Sequence, residues 1–98
     1  MGAMTLESRV RIKDDVVYRD IDGEMVLLNL ATGVYFGLDE VGSRIWHLLG
    51  AHQSFQPVID ALLDEYDVTE AQCAQDLIGL VAQMVEQGLV EVKASPAR

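Results

Sequence analysis

Ninety-eight residues suffice for one domain with a single hydrophobic core and are too few for two. Half are apolar and 23% are charged, which excludes a disordered chain, and the apolar runs, such as Met25 to Leu28, are far too short to cross a bilayer. The balance of 7 basic against 16 acidic residues, a net of −9, argues against nucleic-acid binding, because Arg44 is the only basic side chain between Asp20 and Val92.

The start, Met1-Gly2-Ala3 before Met4, resembles an expression remnant rather than a targeting segment. Residues 1–8 and 93–98 are expected to be frayed tails around a domain over 9–92. Arg9 to Lys13 has the pattern of a short strand. Val16 to Ile21 is β-branched and aromatic and stops at Asp22-Gly23, a strong hairpin dipeptide. Glu24 to Leu30 reads as a more buried strand, Ala31-Thr32-Gly33 as the next turn, and Val34 to Leu38 as a third strand. Two tight turns in succession make an antiparallel meander, which leaves the third strand at a sheet edge.

Asp39 is suited to cap a first helix whose Val41, Ile45, Leu48 and Leu49 share one face and which ends at Gly50. Ser54 is the expected cap of the second, with Pro57 in its first turn and Ile59, Leu62, Leu63 and Tyr66 as its buried stripe. Thr69 followed three residues later by Gln72 forms a capping box for the third, with Val68 and Cys73 at the flanking staple positions. That helix should run to Gln87 and stop at Gly88, leaving Leu89 to Val92 as a last short strand. The fold class expected is α+β: an N-terminal three-stranded antiparallel meander followed by three helices, the element list of a winged helix-turn-helix with its wing first.

No catalytic constellation emerges. His47 and His52 lack the acidic or thiol neighbours of a metal site. The lone thiol, Cys73, falls on the apolar side of its helix with Leu77, Leu80 and Met84, as a small buried hydrophobe would, and a single cysteine fits a reducing cytoplasm. Glycine-rich phosphate loops and nucleophile elbows are absent from the sequence. The expectation is a non-enzyme with no cofactor and no metal.

Two features point to peptide binding. Cys73, Ala74, Leu77, Ile78, Leu80, Val81, Met84 and Val85 cover more of the third helix than one buried stripe requires, and Asp76, Leu80 and Gln83 run along the border of that apolar surface. Val34-Tyr35-Phe36-Gly37-Leu38 carries no lysine, proline or charge to discourage pairing, and Gly37 removes a side chain where another backbone could approach. Such an edge can accept an extended peptide by β-augmentation. Coverage of the edge by a terminal segment or by a second copy, giving a homodimer, are the alternatives.

The stretch Leu27-Leu28-Asn29-Leu30-Ala31-Thr32-Gly33-Val34-Tyr35-Phe36-Gly37-Leu38-Asp39-Glu40-Val41-Gly42-Ser43-Arg44-Ile45-Trp46 resembles the PqqD-like family, as do Tyr66-Asp67-Val68, Asp76-Leu77 and Gly88-Leu89-Val90. The resemblance implies a winged helix-turn-helix that binds the leader of a ribosomally made, modified peptide rather than DNA. It implies a leader strand added to Val34–Leu38 and packed on the third helix at Asp76, Leu77, Leu80, Gln83 and Met84. The closest in character are the stand-alone leader-binding proteins of lasso-peptide biosynthesis, which would make a leader peptidase and cyclase the partners, with no nucleic acid and no membrane. The alternatives are a peptide chaperone for the radical SAM enzyme of PQQ synthesis and a winged-helix regulator.

Overall fold

Asp22 and Gly23 both take positive φ, 55° and 88°, the geometry of the two-residue hairpin turn that their identity suggests. In the computed structural model, which describes residues 8–93, this turn joins β2 (Val16–Ile21) to β3 (Glu24–Asn29). Gly33, with φ 76°, closes the second turn into β4 (Val34–Gly37). The three strands form an antiparallel sheet in the order β2-β3-β4, so β4 lies at an edge. Along β3, Met25, Leu27 and Asn29 are buried while the residues between them are not, the period-2 pattern of a sheet covered on one face.

The expected strand near the start is β1 (Arg9–Ile12). It pairs antiparallel with β5 (Val90–Lys93), Arg9 opposite Lys93, in a separate two-stranded sheet. Ser8 is buried and Lys93 is paired, although both were expected in the tails; residues 1–7 and 94–98 lie outside the described residues.

Three helices follow the meander: α1 (Glu40–His52), α2 (Phe55–Glu65) and α3 (Glu70–Glu86). Asp39 caps α1, its Oδ1 accepting from Gly42 N at 2.8 Å. Three local expectations need correction. Helix α1 does not stop at Gly50 but ends at a left-handed Gln53, where Gln53 O accepts from Val10 N and ties the helix end to β1. Ser54 occupies the N-cap position of α2 without a side-chain capping bond, and bridges to Arg9 instead. At α3 only half the capping box forms: Thr69 Oγ1 accepts from Gln72 N, but the Gln72 amide turns to Asp76 Oδ1 at 2.8 Å.

The core lies between the inner sheet face and the helices, around Trp46, Phe55, Ile59, Leu77 and Met84. Two buried polar side chains lock the layers. Ser43 Oγ accepts from Met25 N at 2.6 Å and donates to Leu38 O at 3.3 Å, joining α1 to β3 and to the residue that follows β4. Asn29 Nδ2 donates to Gln87 O (3.0 Å) and Gly88 O (3.2 Å) while its Oδ1 accepts from Ala31 N. It therefore pins the β3–β4 turn to the end of α3.

Candidate functional site

The pairing of β4 with β3 determines which of its backbone groups are available. Leu38 N donates to Met25 O at 2.8 Å, in register with Val26↔Gly37 and Leu27↔Phe36. In an antiparallel ladder, residues alternate between bonding to the neighbour and facing away from it. Leu38, Phe36 and Val34 thus turn their N–H and C=O groups toward β3, and Tyr35 and Gly37 turn theirs outward. Among the described residues no strand pairs with that outer edge.

Side chains alternate across the same strand. Phe36 is half-buried opposite Leu27, while Tyr35, at 68% exposure, stands on the opposite sheet face with Val17, Ile21, Val26 and Leu28. A Cβ built on Gly37 meets nothing within 4 Å, so the edge is sterically open there. Beside it runs a groove of about 280 Å³ whose floor is Phe36, Leu38 and Ile45 and whose far wall is Asp76 and Leu80 of α3. Gly42 brings α1 close to this floor, since a Cβ there would sit 3.3 Å from the Leu38 side chain.

Of the residues expected to bind peptide, the groove gathers Phe36, Gly37, Leu38, Asp76 and Leu80. Val34 is exposed at the start of the edge, and Gln83 is exposed farther along α3. Leu77 and Met84, expected in the same set, are 0% exposed and lie in the core behind the groove. They fall on the side of α3 that packs inward, one position away from the border row. The sequence reading missed Asp39, Val41, Gly42 and Ile45, which line the groove from α1. Val41 shares the spacing of the buried face of α1, yet it is 45% exposed; its place in the first turn, at the mouth of the groove, follows only from the positions of the sheet and α3.

The electrostatics are acidic. Asp39 and Asp76 border the groove, whereas Arg44 is held by Glu65 across α1 and α2 through a two-point contact of 2.8 and 2.5 Å. That pairing raises the Arg44 pKa and lowers that of Glu65. Burial pushes the Cys73 thiol up, with Asp76 and Glu70 adding to the shift, so it is held protonated.

Comparison with known proteins gives a consistent result. Residues 24–90 match the family model described as Coenzyme PQQ synthesis protein D (PqqD). The chain is similar to the protein in the structure "TbiB1 in Complex with the TbiA(beta) Leader Peptide", with 43% identity over 83% of this chain and 94% of that one and a TM-score of 0.80. It is also similar to "Lasso peptide synthetase B1 complexed with the leader peptide", with 26% identity over 85% and 98% of the two chains and a TM-score of 0.78. The curated proteins contain no match.

Proposed function

The chain belongs to the PqqD family, and on that premise we propose that it is a non-catalytic adaptor of lasso-peptide type. It binds the leader of a ribosomally made precursor peptide as a strand added to β4 and delivers it to processing enzymes. The observation that carries this reading is the outer edge of β4, where Tyr35 and Gly37 direct their backbone groups away from the sheet beside the groove.

Magnitudes say how the two parts divide the work. Two N–H and two C=O groups, at about 0.5–1.5 kcal/mol net each, give about 2–6 kcal/mol, before the cost of ordering the peptide. A micromolar complex needs about 8 kcal/mol. Leader side chains entering the groove supply the difference, about 1.5–3 kcal/mol for each large apolar group buried. Backbone pairing fixes register and the groove gives affinity.

The chemistry offered is concentration and orientation, with the Cys73 thiol held in its unreactive form. The outer sheet face supports a handover. Val17, Ile21 and Tyr35 are 46%, 51% and 68% exposed, and alternate side chains of an added strand would extend that apolar face. A leader peptidase docking there would meet adaptor and leader together. The likeness to a lasso peptide synthetase B1 bound to its leader, at 26% identity and a TM-score of 0.78, favours this pathway over a PQQ-type chaperone, and the 43% identity with a second leader-bound protein supports the leader-binding role.

The test is a titration of the labelled precursor encoded in the same gene cluster. Saturable binding is expected, abolished by deleting the leader and weakened at least about tenfold by Gly37→Pro, which removes an outward N–H. Gly37→Ala, whose Cβ points into open space, should bind as the wild type does. Binding that survives leader deletion would falsify the proposal.

A further inference from the structure

The groove does not end with β4. A second hollow of about 250 Å³ opens beyond it, walled by Leu62 and Tyr66 of α2 and its C-cap, Val68 of the connection, and Cys73 in the first turns of α3. It shares Val41, Ile45 and Asp76 with the first hollow, so the two are neighbouring compartments of one channel. Each is smaller than the roughly 300–1,000 Å³ of a small-molecule site, a size for single side chains of a polymer rather than for a free metabolite. Val41 and Val68, at 45% and 44% exposure, leave apolar surface in water at its lining.

The junction between the compartments carries a carboxylate. Asp76 lines both, and its Oδ1 is oriented by the Gln72 amide at 2.8 Å, one helical turn earlier. The domain offers it little basic complement: Arg44 is the one basic residue between Asp20 and Val92 and is engaged by Glu65.

Resting on the leader-binding reading, we infer that the second hollow takes an apolar or aromatic anchor of the leader lying beyond its β4-paired segment, and that Asp76 selects a lysine or arginine next to that anchor. The recognition sequence is therefore longer than the added strand and has a defined charge. Strand pairing is indifferent to side-chain identity, so the anchor and the cation are what distinguish a cognate leader from any other extended peptide. An ion pair at so open a site contributes little affinity and mainly discriminates between peptides.

A displayed library of random dodecapeptides tests this, selected on the full chain and on Asp76→Lys, Val68→Asp and Gly37→Pro. Both Asp76 and Val68 are exposed, so their variants should fold, which circular dichroism checks. The wild type should enrich a bulky apolar residue beside lysine or arginine. With Asp76→Lys the basic preference should turn acidic while the apolar anchor persists; with Val68→Asp the anchor should be lost and the basic preference kept. A peptide selected on the wild type should bind Asp76→Lys about fivefold more weakly, and a lysine-to-glutamate exchange in that peptide should restore the loss. Enriched peptides that require the β4 edge but show no basic preference, or one that Asp76→Lys leaves unchanged, overturn the inference while the adaptor reading stands. Enrichment unaffected by Gly37→Pro, or no enrichment at all, overturns both.

Discussion

Replacing Asn29 with alanine should destabilise the domain by about 2–4 kcal/mol, from three lost hydrogen bonds at about 0.5–1.5 kcal/mol net each. Asn29 is 4% exposed, but the groups it bonds, at Ala31, Gln87 and Gly88, are not fully buried, so water can reach them and the full penalty of an orphaned buried group does not apply. Aspartate tests the geometry more sharply. It keeps the acceptor for Ala31 N but turns a carboxylate toward the carbonyls of Gln87 and Gly88, where the wild type donates. At neutral pH Asn29→Asp should therefore be less stable than Asn29→Ala. Those carbonyls disfavour the anion and raise the folded pKa of the new carboxyl above its unfolded value. Its defect is then full above the folded pKa and shrinks as pH falls through it, toward the unfolded value of about 3.9. Urea unfolding followed by the fluorescence of Trp46, which is buried with Tyr18 edge-on at 5.5 Å, is the assay. With an m-value of about 1–2 kcal/mol/M, the alanine midpoint should fall by about 1–4 M. A midpoint within about 0.3 M of wild type, or Asn29→Asp more stable than Asn29→Ala at pH 7, would refute the reasoning.

Ser43→Ala strands the buried Met25 N–H and should cost about 1–3 kcal/mol, read as a lower urea midpoint with an unchanged slope. Gly88→Ala should also destabilise, because φ is +73° and the new Cβ would lie 2.7 Å from Asn29 Nδ2; adding Asn29→Ala should relieve the clash and leave the backbone strain, so the two effects fall short of additive. At pH 8 the Cys73 thiol should alkylate with iodoacetamide at least about tenfold more slowly than in the urea-unfolded chain. Its raised pKa means that its contribution to stability is complete below the unfolded value of about 8.5 and is lost as pH rises through the folded value. Wild type should lose stability across alkaline pH faster than Cys73→Ala does.

The meander was legible because its determinants are local. Asp22-Gly23 dictates the turn, alternation dictates which face of β3 is buried, and the expected Val16–Ile21 strand is the one observed. The helix caps at Asp39 and Thr69 were legible for the same reason. What failed depended on tertiary neighbours. Gly50 reads as a stop, but pairing of Gln53 O with Val10 carries the helix further. The stripes chosen for α1 and α2 omitted Trp46, Phe55 and Val58, all at 0–1% exposure, because helical periodicity gives a face but not its width. The groove was half legible: an unguarded strand shows in the sequence, but the α1 residues that close the floor do not, since they are brought to β4 only by the packing of Ser43 and Gly42.

The same arrangement of meander and helices could serve DNA, and surface charge argues against it. A recognition helix brings arginine or lysine to the groove, but α3 has neither and carries Glu70, Asp76 and Glu86. The cations Arg9, Arg11 and Lys93 sit on the β1–β5 sheet instead, where Arg11 is within 3.3 Å of both Asp14 and Glu91. Duplex affinity comes largely from phosphates neutralised by such side chains, each adding about 0.9 to the slope of log K against log salt. With none on α3 that slope should be near zero, and a duplex of about 30 base pairs should show no binding at micromolar protein in moderate salt. Several-fold salt-dependent duplex binding would mean that the β1–β5 cations act as a phosphate clamp. The acidity that repels DNA is the same acidity that borders the groove at Asp39 and Asp76. The fold therefore leaves the ligand open, and an α3 without cations suits one wall of the proposed peptide channel better than it suits a reader of bases.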